Sequence, residues 1–240
     1  MRLIFQAIFA LGTGLLIAAT PAAEAATSGS GHMATEKRAV SDFDAIAQDG
    51  SIDLMVRQTG KEGVEISAED NLLPLIETVV ENRTLQVRFK RGEWVRSHRN
   101  IRVTVDVIKL NAVAMAGSGD VQIEGVKTPS LKVTLSGSSD AKMRKLDTDA
   151  LEIRISGSGD VAADGSARQL KLSIAGSGDA RLADLTADDV SVRIAGSGDA
   201  DVTANKSLDV SVAGSGDVRY GGKVAAVKSS MVGSGSISRR

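Results

Sequence analysis

The chain has 240 residues, enough for one or two domains with a real core, and it carries 25 glycines, 2% aromatic residues and no cysteine. Without cysteine there is no disulfide framework, and with only two histidines zinc sites built on Cys and His are excluded. A formal net charge of −1 argues against a nucleic-acid partner, which calls for a basic surface.

In chain order, Arg2 leads an apolar run from Leu3 to Ala19, and Pro21, Ala22, Ala23, Glu24 and Ala25 supply the small residues of a cleavage site. Residues 1–25 are therefore expected to be a Sec-type signal peptide cut after Ala25, sending the protein to the periplasm, cell surface or extracellular medium. No transmembrane segment is expected after that cleavage, because no later apolar run reaches spanning length. Residues 26–38, "ATSGSGHMATEKR", are small and polar and are expected to be a flexible leader.

The remainder, 39–240, is expected to be a single β-helical domain. Residues 39–115 alternate apolar and polar positions in "AVSDFDAIAQDGSIDLMVRQ", "GVEISAED", "TLQVRF" and "IRVTVDV", which read as strands. "NLLPLIETVV" reads as an irregular or briefly helical connection. With no linker before the next segment, these strands are expected to be irregular N-terminal rungs that cap the domain. A separate small β domain is the alternative.

Residues 116–240 are a regular repeat. A Gly-Ser-Gly-Asp type motif begins at Gly117, Gly137, Gly157, Gly176, Gly196, Gly214 and Gly233, at intervals of 18–20 residues. Before each motif runs a period-two strand, such as Leu131, Val133, Leu135 or Val190, Val192, Ile194, with polar residues between. From the first apolar residue of that strand to the motif glycine the distance is always six, while the stretch after the aspartate varies in length. Strand and corner must therefore stack in register, and the opposite side of the coil absorbs the insertions. About 20 residues per turn without a helical segment fit one rung of a parallel β-helix, and seven corners exceed the minimum of about three repeats for a stable solenoid.

The motif residues have definite physical tasks. The first glycine, present in all seven copies, suits a corner with positive φ or close backbone approach; the second is replaced by Ser139. Serines can stack as a hydroxyl ladder, and Asp120, Asp140, Asp160, Asp179, Asp199 and Asp217 can accept turn N–H groups. Two carboxylates about 5 Å apart repel by roughly 0.8 kcal/mol in water and about 3 kcal/mol at an effective dielectric of 20. The ladder must therefore be solvated and hydrogen-bonded, or hold cations. A structural turn without cofactor is the first reading. A calcium ladder on the six aspartates is the second, although known nonapeptide calcium repeats have a shorter period. Catalysis fits poorly, since a catalytic site is one constellation of different groups.

The other unusual stretch is "KRGEWVRSHRNIR" at 90–102, with Lys90, Arg91, Arg96, Arg99 and Arg102 around Trp94 and Glu93 as its sole acid. Trp94, Arg91, Arg96 and Arg99 are the candidate ligand-binding residues, suited to an anionic sugar, a phosphate or a membrane headgroup. The alternative is a solvated hairpin tip whose tryptophan covers the first rung. His98 lies in this loop, with no G-x-S-x-G elbow in the chain to make a serine nucleophile of it.

The runs "VAMAGSGDVQIEG", "SGSGDV" and "AGSGDVRYGGKVAAVKSSMVGSGSI", with "FDAIAQDGSIDLMVRQ" at the front, closely resemble the auto-transporter adhesin, head GIN domain family of exported bacterial proteins, over roughly residues 40–237. The resemblance implies a β-helical domain, export, a surface or envelope role and no catalytic residues. The leading expectation is thus a non-enzymatic exported protein that binds an envelope glycan or a protein ligand. A β-helix enzyme acting on acidic polysaccharide through Arg96, Arg99 and the aspartates, and a purely structural envelope spacer, are the alternatives. A lyase should show one groove where Lys, Arg and Asp of different rungs converge; a binder or spacer should show an even ladder. In the last rung Ser229 falls at an inward position and Ser236 replaces the aspartate before Arg239 and Arg240. That rung suits a charged cap against edge pairing, and end-to-end homo-oligomers are expected if it is incomplete.

Overall fold

The structure, a computed structural model, describes residues 26–240; the expected signal peptide lies outside the described residues. The described chain runs through β1 (Thr27–Ser28), β2 (Met33–Arg38), β3 (Ala45–Gly50), β4 (Asp53–Gln58) and β5 (Gly63–Glu69). A 3-10 turn at Leu73–Leu75 leads into β6 (Ile76–Glu81), β7 (Thr84–Phe89), β8 (Val95–Arg96) and β9 (Arg102–Val107). Then come β10 (Ala112–Gly117), β11 (Val121–Glu124), β12 (Lys127–Gly137), β13 (Ala141–Gly157), β14 (Val161–Gly176), β15 (Ala180–Gly196) and β16 (Ala200–Gly214). The last are β17 (Val218–Gly221), β18 (Ala226–Gly233) and β19 (Ile237–Arg239).

From β10 onward every pairing is parallel and joins like to like, as the fixed six-residue spacing demands: a parallel β-helix. Leu131 stacks on Leu151, which stacks on Leu170, then Val190 and Leu208. Leu135, Ile155, Ile174, Ile194 and Val212 form a second inward column, and all of these side chains are buried. Each alternating strand thus puts its apolar face into a bore of thin aliphatic layers, and burial of that area is the main stabilising term. The register shifts fall between Met143 and Leu146, Ala162 and Gly165, Leu182 and Thr186, and Ala187 and Asp189. All four lie inside β13, β14 and β15, between a motif aspartate and the period-two run that follows it, on the side where the sequence varies in length.

Residues 39–115 join this stack directly, with β3 parallel to β10 and β4 parallel to β11. One more irregular rung follows, with β7 parallel to β3 and β9 parallel to β4, and beyond it the chain departs from stacked rungs. Strand β5 runs antiparallel to both β2 and β9, and β6 antiparallel to β7. A parallel stack ends in an open edge, and antiparallel hairpins turn that edge back while Phe43, Leu72 and Ile76 plug the bore.

The expected flexible leader at 26–38 is corrected by the same cap. Its second half is strand β2, in register from Met33 opposite Glu69 to Arg38 opposite Val64, and β1 pairs with β8. The guanidinium of Arg38 donates to the carbonyls of Leu73 (2.9 Å) and Ile76 (2.6 Å), closing the 3-10 turn beneath it. At the other end, Ser229 stacks on Val210 but is exposed, as are Val227 and Val232. Arg240 folds back to pair with Asp201 at 3.0 Å.

Candidate functional site

Each Gly-Ser-Gly-Asp corner is built by contact with the rung before it. The motif glycines sit at φ between +103° and +141°, and a Cβ on any of them would overlap the glycine carbonyl of the preceding rung. Close approach and left-handed backbone therefore both exclude other residues here. The serine N–H donates across the rungs to the preceding glycine carbonyl, as from Ser158 to Gly137 and from Ser197 to Gly176, both at 2.9 Å. Of the expected hydroxyl ladder, the described residues show one link, Ser51 to Ser118 at 3.1 Å.

The aspartates form a continuous inter-rung ladder. Each carboxylate Oδ1 accepts the backbone N–H of the next aspartate in the stack, from Asp120 to Asp140 (3.2 Å), Asp140 to Asp160 (2.8 Å), Asp160 to Asp179 (2.9 Å), Asp179 to Asp199 (3.1 Å) and Asp199 to Asp217 (2.8 Å). The return bond uses the main chain: the N–H of Val161 reaches the Asp179 carbonyl, and that of Ala180 the Asp199 carbonyl, both at 2.8 Å. The expected bond within a turn is thus corrected to one between rungs. At the corner the side-chain oxygen takes the acceptor role that a backbone carbonyl fills along a regular strand.

The ladder starts one rung earlier than the repeat predicts. Asp53 Oδ1 accepts the N–H of Asp120 at 3.2 Å, so Gly50, Ser51, Ile52 and Asp53 are an eighth corner with isoleucine in the third place. The signal was present, since Ser139 already shows that the third place tolerates a side chain. At the far end Ser236 closes the column by donating both its N–H and its hydroxyl to Asp217 Oδ1 at 2.8 Å. The outer oxygens of Asp160 and Asp179 face Arg181, at 3.0 and 3.5 Å. The six predicted aspartates are therefore brought into one column. Among the described residues, no group of three or more His or acidic side chains converges on a point where one metal ion could sit.

The basic loop is folded against the base of this column by one buried carboxylate that the sequence did not single out. Glu69, fully buried at the end of β5, accepts the Ser97 hydroxyl at 2.7 Å, the His98 N–H at 3.0 Å and the Gly31 N–H at 2.7 Å. The Ser97 hydrogen bond holds this carboxyl below the usual glutamate range, joined by the His98 and Gly31 amides and the His98 ring, against burial, which pushes it up. Alongside, the Thr27 N–H donates to the Trp94 carbonyl at 2.7 Å and the Gly29 N–H to the Arg96 carbonyl at 2.9 Å.

So held, the loop splits the four predicted ligand-binding residues. Arg96 and Arg99 line an open groove of about 540 Å³ together with Asp53, Asp120, Ser51 and Ser118, with Phe89 in its wall. No lysine lines it. Arg91 and Trp94 stand outside it, and Trp94 is 69% exposed, so the tryptophan does not cover the first rung. Smaller troughs of about 290 and 230 Å³ continue along the same aspartate column. Guanidinium donors facing carboxylates and hydroxyls suit a polar ligand that offers both acceptors and donors, such as a sugar acid.

Comparison with known proteins agrees with this architecture. Residues 42–224 match the family model described as "Putative auto-transporter adhesin, head GIN domain". A solved putative adhesin from Bacteroides fragilis NCTC 9343 superposes with a TM-score of 0.81 at 24% identity, over 89% of this chain and 100% of that one. Two structures from Parabacteroides distasonis ATCC 8503 each cover 90% of this chain and are matched over 100% of their own. One, a putative lipid binding protein, gives a TM-score of 0.73 at 24% identity; the other, a putative adhesin, gives 0.71 at 27%. No curated protein matches the sequence.

Proposed function

The chain belongs to the putative auto-transporter adhesin, head GIN domain family, and from that premise we propose that it is an exported, non-enzymatic binding protein of the cell envelope or surface. Its ligand site is the groove where the basic loop meets the aspartate column, and its ligand an acidic envelope glycan. The observation that carries this reading is the convergence of Arg96 and Arg99 with Asp53 and Asp120, from two successive rungs, in one open polar groove. A guanidinium reads a sugar carboxylate with paired N–H donors, while carboxylates and serine hydroxyls take up sugar hydroxyls.

The same convergence favours a second reading, a lyase of acidic polysaccharide. Against it, no lysine completes the convergence of Lys, Arg and Asp that a lyase calls for, and Asp53 and Asp120 each have one carboxylate oxygen engaged by a backbone N–H of the next rung, leaving the other for a ligand hydroxyl. Titration calorimetry with oligogalacturonides, and with neutral cello-oligosaccharides as control, tests the proposal. Binding of the acidic series that is lost in Arg96→Ala/Arg99→Ala, with the saccharide recovered intact, is the expected result. Recovery of an unsaturated product establishes the lyase, and equal affinity for the neutral series removes the acidic-glycan assignment.

A further inference from the structure

Trp94 is the only tryptophan in the chain, and more than two thirds of its side-chain surface faces solvent. A single exposed ring is ordinary on a protein surface, so the case for a partner rests on how this one is held and on the charge around it. The turn is pinned on both sides. The Lys90 N–H donates to the Leu75 carbonyl (2.8 Å), the Glu93 N–H to the Lys90 carbonyl (3.1 Å), and Thr27 pairs with Val95. Trp94 is thus displayed by a fixed scaffold.

Its charge environment is one-sided. Lys90 and Arg91 precede it in the same exposed turn, Arg96, Arg99 and Arg102 follow, and Glu93 is the one acid between 90 and 102. Among the described residues none of these five cations forms an ion pair, which is also true of others such as Arg144 and Arg219; what sets these five apart is their grouping around one exposed ring. Cations left free around an exposed ring complement an anionic surface.

We propose that the Lys90–Trp94 turn docks this protein on an anionic lipid bilayer, with the indole at headgroup level and Lys90 and Arg91 against lipid phosphates. A protein partner fits less well, because a stable interface covers about 800 Å² per side around several apolar anchors. Within 90–102 Trp94 is the one exposed large apolar side chain, Val95 being half-buried and Ile101 buried. A bilayer asks for no more than this: an amphipathic ring for the interface and cations for its surface potential. The inference stands apart from the glycan groove, which Trp94 and Arg91 do not line.

Because Trp94 is unique, intrinsic fluorescence reports on it directly. The test titrates the purified protein with phosphatidylglycerol–phosphatidylcholine vesicles and with phosphatidylcholine vesicles, alongside co-sedimentation. The expected result is a blue shift and co-sedimentation with the anionic vesicles alone, reversed by about 0.5 M salt, where charges are screened within a few ångströms. Lys90→Glu/Arg91→Glu should lower partitioning about 25-fold or more, at roughly a fivefold loss for each cation removed from the surface. Trp94→Ala, checked for native β-sheet circular dichroism, should weaken co-sedimentation as well. The proposal is overturned if anionic vesicles at low salt give neither shift nor co-sedimentation, or if co-sedimentation persists unchanged in both variants. An equal blue shift with soluble oligogalacturonide and no vesicles also overturns it, assigning the turn to a glycan.

Discussion

The backbone N–H of Asp160 rests 2.8 Å from Oδ1 of Asp140, a residue 20 positions earlier in the chain and one rung away in the stack. This bond explains why aspartate recurs through the column despite the repulsion between neighbouring carboxylates. The side chain closes an inter-rung hydrogen bond that the bent backbone leaves open.

Replacing Asp140 separates those two effects. Asp140→Ala removes the acceptor, and because the corner is exposed, water partly replaces it; the expected loss is about 1 kcal/mol. Asp140→Asn keeps a carbonyl oxygen and removes one charge from the column, so its stability should lie within about 0.5 kcal/mol of the parent or above it. Urea unfolding of the three proteins decides the matter. Equal losses in both variants would show that the charge, not the acceptor, is what the corner needs.

The glycines make a sharper prediction. Gly176 has φ +136°, and a Cβ there would overlap the Gly157 carbonyl, so Gly176→Ala combines backbone strain with a clash that no side chain can relieve. It should cost about 3 kcal/mol or more. Gly63, with ordinary φ and open space around it, is the control, and Gly63→Ala should be near neutral. A thermal melt of each variant checks the contrast, which a similar fall in both would refute.

Calcium should leave the fold largely unmoved. The aspartate oxygens that face the next rung are occupied by N–H donors, and no three acidic groups among the described residues converge. A melt in calcium and in chelator should therefore agree closely. A rise of many degrees with calcium would mean that the outer oxygens hold ions between rungs and stabilise the folded state by mass action.

How much of this was legible in the sequence follows from what each residue does. The constant six-residue distance to the motif glycine made strand register readable, because a stacked corner tolerates no insertion. The bulges likewise fell where the spacing varied. Strand β2 was hidden because its half-buried positions are Ala34, Glu36 and Arg38, so it carries no apolar alternation. Its place is fixed by backbone pairing and by Arg38 bonding to two carbonyls. The column's first member, Asp53, was masked by Ile52 in a glycine's place. Of the site, Arg96 and Arg99 were named in advance, but their aspartate neighbours in the groove depend on how the cap folds back, which no local pattern encodes.

Glu69 was the least legible of all, since an acid at the end of an alternating strand, next to Asp70, reads as solvated, and it yields the last prediction. Its Oε2 accepts Ser97 and His98 while Oε1 accepts Gly31, so the carboxylate ties the basic loop to the segment beside β1. Its folded-state pKa lies below the ordinary 4.5, so the stabilisation it contributes is fully present above that value and is lost as pH falls through the lower folded-state one. Glu69→Gln cannot reproduce this arrangement, because its amide nitrogen must face one set of donors with donors of its own. Hydrogen–deuterium exchange over 29–31 and 95–99 should then show the parent protected and the variant open at about pH 7, converging as pH falls well below 4.5 and the carboxylate is protonated. Equal protection of both proteins at neutral pH would mean that the groove is held in place by the strand pairing of β1 and β8 and not by the carboxylate.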